Sequence, residues 1–424
     1  MRRFGQLTDI FVKNWNGLQN KFDSIRIGIL ITAVLVISVI FQNSSNAQWL
    51  PEWRSEQYVQ EGIELVYNYQ LDSARTKFQK VVDRHPDHPG GHFFVAMVDW
   101  MTILVNLEDT SLDDRFYDQL DHVIELSDNI LDNRSHDISA LFFKGGAIGF
   151  RGRLRAHRGN WVRAANDGRR ALPIVRKAER LSPDNADIML GKGIYNYYAA
   201  VIPDMLPWVR PFLIFFPSGD KEEGLEQLRT ASKEGRYAGI EASYFLMQIL
   251  YFNENKYREG FEISEMLYDR FPGNPLFHRY YGRFNVALGR WEEAFKTFTS
   301  IIEKYNEDVK GYNTHAIREA HYYVGQYLFN RNQLDEALDH YAEVIDYSEE
   351  LDEDNQSGFV ILSTLRRGMI YDALEERDKA LEYYRTVRSM DDYQGSRDLA
   401  ERYMENPYNR GGIVREIKPN KFSE

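Results

Sequence analysis

Through most of this chain apolar residues recur at three- and four-residue steps, the period of an α-helix buried along one side. Four stretches carry a further regularity. Gly62, Ala74 and Phe78; Gly282, Ala294 and Phe298; Gly325, Ala337 and Tyr341; and Gly368, Ala380 and Tyr384 each step by 12 and then by 4. Gly and Ala at that separation predict two antiparallel helices crossing where only small side chains fit, with the aromatic one turn further along the second helix. Helix pairs follow over about Glu56–His85, Gly91–Leu131 and Asp137–Leu181, the first ending at Pro86. In the second pair the opening segment HFFVAMVDWMTILV is almost all apolar and reads as buried on most sides. In the third, Ala171, Val175 and Pro183 repeat the second-helix half of the code, with the first-helix register unclear.

A fourth pair opens at Leu190-Gly191, is interrupted, and resumes at Gly224-x3-Leu228. The fifth places Tyr244, Tyr251, Gly260 and Pro272 in frame, with Gln248 and Ser264 departing from it, and the sixth starts at Pro275. From Ala294 to Ala337 to Ala380 the step is 43, a 34-residue unit plus nine, and the polar segments EDVKGYNTHA and EELDEDNQSG read as surface loops. A last amphipathic helix near Arg397–Met404 predicts a cap with a polar outer face, before a poorly ordered tail from Gly411. These patterns resemble the tetratricopeptide repeat (W-x2-L-G-x2-Y, then A-x3-F, then P), of a bacterial exported type. The resemblance implies an all-α fold, a right-handed α-solenoid of about eight stacked antiparallel helix pairs over residues 48–410, with an insertion at 201–220. The segment Phe215–Leu250 is also faintly similar to a eukaryotic tetratricopeptide-like family linked to the mitochondrial outer membrane and lipid inclusions.

The run Ile27–Phe41 (IGILITAVLVISVIF) breaks the pattern, being apolar on all sides. Arg2, Arg3, Lys13, Lys21 and Arg26 precede it against Asp9 and Asp23, so everything after Phe41 is expected to be translocated. As a helix it spans about 22 Å, which suits a signal-peptide core better than a membrane anchor. Ser45-Asn46-Ala47 supplies small residues for cleavage, so residues 1–47 read as signal peptide or signal anchor, and the chain as periplasmic or membrane-anchored outside the cytoplasm.

Composition narrows the chemistry. The absence of Cys excludes disulfides, thiolate metal sites, thiol nucleophiles and a lipoprotein anchor, and a net charge of −12 argues against general nucleic-acid binding. From Arg151 to Arg180 ten Lys/Arg stand against Asp167 and Glu179, with Arg151, Arg153, Arg155 and Arg158 at the front. Arginine suits a bidentate grip on carboxylate or phosphate, so the block reads either as an anion dock or as pairing with acidic neighbours. The insertion VIPDMLPWVRPFLIFFPSGD combines helix-breaking Pro203, Pro207, Pro211 and Pro217 with a large apolar load. It reads as an internal plug, or as a lid or membrane wedge with Trp208 and Arg210 at headgroup level.

His85, His88 and His92 fall where a repeat turn is expected, and Asp352-x-Asp354 lacks the Gly and Glu of a calcium loop and reads as solvated, so no metal is expected. Gly146, Gly149 and Gly152 follow no strand and read as helix packing. No catalytic motif or cofactor signature stands out, and an enzyme is not expected. Tyr244, Tyr251, Tyr281, Tyr322 and Tyr323 are candidate contacts for a protein or peptide partner on a concave surface, or else filler between helices. Two functions stay open: a non-enzymatic envelope scaffold for protein–protein interaction, and an envelope lipid or anionic-ligand binder with the insertion as lid and the Arg block as anion site.

Overall fold

The computed structural model describes residues 49–205, 217–352 and 355–409. The apolar run 27–41, Trp208, Arg210 and the tail from 411 lie outside these residues. Among those described there are helices and turns and no strand, and no helix is long and apolar enough to cross a membrane. The helices form eight antiparallel pairs and a closing helix, in two compact units that divide between Asn274 and Pro275.

The first unit holds five pairs. They are α1 (Trp53–Tyr67) with α2 (Leu71–Arg84), α3 (Pro89–Val105) with α4 (Asp113–Asn133), α5 (Ile138–His157) with α6 (Trp161–Leu181), α7 (Ala186–Met205) with α8 (Lys221–Glu234), and α9 (Gly239–Phe252) with α10 (Tyr257–Arg270). The second holds α11 (Pro275–Ala287) with α12 (Trp291–Asn306), α13 (Thr314–Asn330) with α14 (Leu334–Leu351), α15 (Gly358–Ala373) with α16 (Arg377–Ser389), and then α17 (Ser396–Glu405). Helix starts are set by Asp137, Asp220, Asn313 and Ser357, whose side chains accept the amide of the third residue on. The 43-residue steps are only partly loop, because α14 runs to Leu351 and thereby absorbs much of its extra length.

The small-residue code has a different physical content from a simple Gly–Ala contact. A Cβ on Gly62 would meet the Phe78 ring at 2.2 Å, one on Gly368 the Tyr384 ring at 2.6 Å, and one on Gly282 the Phe298 ring at 2.8 Å. On Gly325 the Tyr341 ring is reached only at 3.2 Å. Each glycine thus makes room for the aromatic sixteen residues later, while Ala74, Ala294, Ala337 and Ala380 are buried beside it. Seven residues after each of these glycines the chain turns through a left-handed residue: Tyr69, Gly289, Asn332 and Glu375.

The same turn at Gly159 fixes the register of the third pair, which the sequence leaves unclear. Gly152 takes the glycine position, Ala164 the alanine and Gly168 the aromatic position, so that pair lacks the ring. In its place Asp167, wholly buried on α6, accepts from Arg151 Nη2 at 2.5 Å and Arg155 Nη1 at 2.6 Å on α5. In the fourth pair the close approach falls at Gly193 and not at Gly191: its Cβ would stand 2.8 Å from the Gly224 carbonyl oxygen.

Unit 1 closes on itself. Glu64 of α1 pairs with Arg270 of α10, Asn68 Oδ1 accepts from the Gly273 amide at 3.0 Å, and Asn274 Nδ2 donates to the Tyr67 carbonyl at 2.8 Å. Tyr67 donates its hydroxyl to Glu241 Oε2 at 2.8 Å, and buried Glu56 holds the Tyr237 hydroxyl and, at 3.1 Å, Arg236. The first pair is therefore bonded to the last.

Candidate functional site

The Arg block separates into two halves of opposite character. Arg151, Arg153, Arg155 and Arg158, on α5 and its C-terminal cap, are committed inward. Beyond Asp167, Arg151 also pairs with Asp121. Arg158 grips Asp113 with Nε at 2.6 Å and Nη2 at 2.9 Å and donates to the carbonyl of Leu107, tying the end of α5 to the start of α4. Arg153 is wholly buried: Nη1 donates to Glu241 Oε1 at 2.9 Å, and the guanidinium lies 4.9 Å from the Trp100 ring and 4.2 Å from that of Phe245. These four are spent on holding helices together, and offer no anion site.

The second half lies on α6 and faces outward. Arg163, Arg169, Arg170, Arg176 and Arg180 are exposed and Lys177 is half-buried, opposite the buried Ala164, Ala171, Val175 and Ala178. Among the described residues none of the six has a carboxylate partner; Arg169 donates to Asn166 Oδ1 at 3.2 Å, and Glu179 is taken by Lys192.

The tyrosines singled out by sequence are largely internal. Tyr244, Tyr251, Tyr322 and Tyr323 are buried, and Tyr281 is half-buried. Tyr244 accepts from Gln248 Nε2 at 2.9 Å, Tyr251 packs edge-on against Phe252, and Tyr322 packs edge-on against Tyr323 and Phe359. Stacking one pair on the next covers the first helix of each pair on two sides, so its aromatics fill the core and are not presented to a partner.

Unit 1 holds a cavity among its first helices. The first helices of all five pairs converge on one cavity of about 80 Å³, lined by residues including Val66, Phe93, Trp100, Phe150 and Leu190, with Asp187 and Glu241 as acidic members. The Asp187 carboxylate accepts from the Tyr237 and Ala238 amides at 2.7 and 2.9 Å, and burial outweighs these bonds and raises its pKa to about 6. The buried Trp100 Nε1–H lines this cavity without a partner among the described residues.

Further buried acids each gather guanidinium groups. Asp99 on α3 holds Arg75 from α2 and, through Nε at 2.9 Å, Arg115 from α4. In unit 2 Glu319 on α13 accepts from Arg279 Nη2 at 2.8 Å and Arg283 Nε at 2.5 Å, both on α11. Burial pushes the Glu319 carboxyl up, but the two cations outweigh it and hold it below the usual range. Asp352 is not merely solvated: it accepts from Arg318 at 2.7 Å and from the Ser357 amide at 2.8 Å, joining α13 to the start of α15. His85, His88 and His92 serve separate partners, the Ser55 and Ser139 hydroxyls and the Pro86 carbonyl. No three His, Asp or Glu among the described residues converge as metal ligands.

The arrangement defines an all-helical repeat protein whose buried charges clamp helix to helix. Among solved structures it is similar to apo RapI (14% identity, 81% of this chain and 79% of that one, TM-score 0.38). It is also similar to the P58(IPK) TPR domain (16%, 83% and 97%, TM-score 0.25) and to the human IFIT1 dimer with PPP-AAAA (12%, 83% and 84%, TM-score 0.36). At these values the likeness says nothing of what the chain binds, and the repeat fold stands on its own helix pairs. No family model and no curated protein matches the chain.

Proposed function

We propose that this chain is a non-enzymatic scaffold of the cell envelope, exported through its N-terminal segment, that holds a protein partner on the outer helices of its repeats. One observation carries the reading: the buried carboxylates Asp99, Asp167, Glu241 and Glu319 are each bonded to one or two guanidinium groups that fix neighbouring helices, and Asp187 in the cavity is held by the Tyr237 and Ala238 amides. Chemistry at such groups would have to break the fold, whereas the second helices of the pairs keep one face in solvent.

The partner surface then falls on exposed positions such as Met266 on α10 (41% exposed), with Trp53 (66%) at the open start of α1, and not on the buried tyrosines. Photo-cross-linking residues placed singly at these positions in cells test this. One protein recurring at a single position, and lost on charge reversal of its surroundings, is the expected result. Full-length cross-linked product at none of them overturns the scaffold reading.

A further inference from the structure

We infer that the outer face of α6 is a docking surface for an anionic phospholipid bilayer. The six cations Arg163, Arg169, Arg170, Arg176, Lys177 and Arg180 follow one another on the side of α6 turned away from its buried residues. They span about 26 Å at 1.5 Å per residue. The two acids of α6 are both engaged elsewhere, Asp167 inward with Arg151 and Arg155 and Glu179 with Lys192. With these six set apart, the net −12 of the chain becomes −18 over the remainder. Within unit 1 this face of α6 is thus a local concentration of positive charge, and an anionic plane would attract it.

Charge complementarity calls for an anion, and the shape of the face selects a flat one. The solvent side of a helix is convex, so the face of α6 by itself gives an acidic peptide no wall to pack against, while a bilayer needs none. Five of the six cations are Arg, whose fork matches lipid phosphate bidentately. At the amino-terminal end Val162 is 83% exposed and Trp161 is partly buried, an apolar tip that can enter the headgroup layer while the cations stay at phosphate depth. A cluster left unpaired repels itself, and a surface of anions relieves that repulsion.

Because the chain has no Cys, Val162→Cys in the full protein takes a single environment-sensitive fluorophore, and Met266→Cys gives a control on the same unit. With vesicles containing phosphatidylglycerol the label at 162 should brighten and shift to the blue, and the change should vanish in 0.5 M salt. With phosphatidylcholine vesicles alone, and for the label at 266, it should stay unchanged. At about fivefold per cation, the combined Arg170→Gln, Lys177→Gln and Arg180→Gln change should raise the lipid needed for half response by about 100-fold. Arg385→Gln with Arg388→Gln, exposed on α16, should leave it where it was. The inference is overturned if the 162 label answers both lipids equally, answers neither, or keeps its affinity in the triple variant. Binding instead to an acidic protein would appear as no response to either vesicle. Since the scaffold reading is tested by cross-links to protein, either can fail alone.

Discussion

The four glycines facing aromatic rings make a graded series whose outcome follows from two opposed terms. Replacing a helix-interior Gly with Ala gains about 1 kcal/mol of helix propensity. Against this stands the fit of the new methyl group. At Gly62 it would lie 2.2, 2.6 and 2.8 Å from three atoms of the Phe78 ring, which is fully buried and has nowhere to go. Overpacking of that kind costs about 1–3 kcal/mol, and this site belongs at the upper end, for a net loss of about 2 kcal/mol. At Gly325 the nearest atoms are Tyr341 at 3.2 Å and His340 Cβ at 3.3 Å, so neighbours need give only a few tenths of an ångström. There the propensity gain matches or exceeds the strain, and Gly325→Ala should be neutral or stabilising. Gly368→Ala and Gly282→Ala fall between, in that order. Hydrogen exchange in the second helix of each pair reads the local effect without assuming that both units unfold together. Phe78→Leu should lessen the damage of Gly62→Ala in a double-mutant cycle. Stability of Gly62→Ala equal to the parent, or Gly325→Ala as the worst of the four, would refute the packing argument.

Glu241→Ala leaves the Arg153 guanidinium buried without its carboxylate, so a loss of about 3–5 kcal/mol is expected in urea unfolding of unit 1; a loss under about 1 kcal/mol would contradict it. Asp167→Asn, which takes the negative charge from between Arg151 and Arg155, should loosen the α5–α6 pair and raise its exchange rate, whereas Asp132→Asn, exposed on α4, should not. Acidification should weaken unit 2 more steeply than unit 1. Burial pulls His278 and His321 to about 3 and His315 to about 4 in unit 2, and His157 to about 3 and His88 to about 4 in unit 1. Unfolding lets each take up a proton below its ordinary 6.5, so stability falls with pH by about 1.4 kcal/mol per unit per histidine between roughly 6 and 4. Asp187, held at about 6 when folded, has the opposite sign and offsets one histidine of unit 1 as the pH falls. Equal acid sensitivity of the two units in exchange measurements at pH 7 and pH 5 would be the contrary result.

Much of the helix pairing was legible because it is written locally, in glycine, alanine and ring at fixed steps. The third pair was obscured because Gly168 replaces the ring and the buried Asp167 does its work, and an acid within an arginine run reads most simply as a partner for neighbours in the same helix. The Arg block was visible as a block, but its division was not: Arg151, Arg155 and Arg158 belong to α5 and its cap, Arg163 and Arg170 to α6, and which of them face inward depends on a helix register the sequence leaves open. The tyrosines could not be sorted between contact and filler for a related reason, since an aromatic on a first helix has the same spacing whether that face is open or covered. Least visible were Glu56, Glu64, Tyr67 and Asn68, whose partners lie between 174 and 207 residues away and leave no periodic trace.

That last set bears on how the chain is born. In an open array each helix pair can settle against its predecessor as it emerges, but α1 cannot complete its bonds until Arg270, Gly273 and Asn274 have been made. For the time needed to synthesise some two hundred residues, Glu56 and Tyr67 must wait with their polar groups in water. The earliest helix of unit 1 is among the last to be locked, which makes that interval the one in which a chaperone or a protease has most to act on.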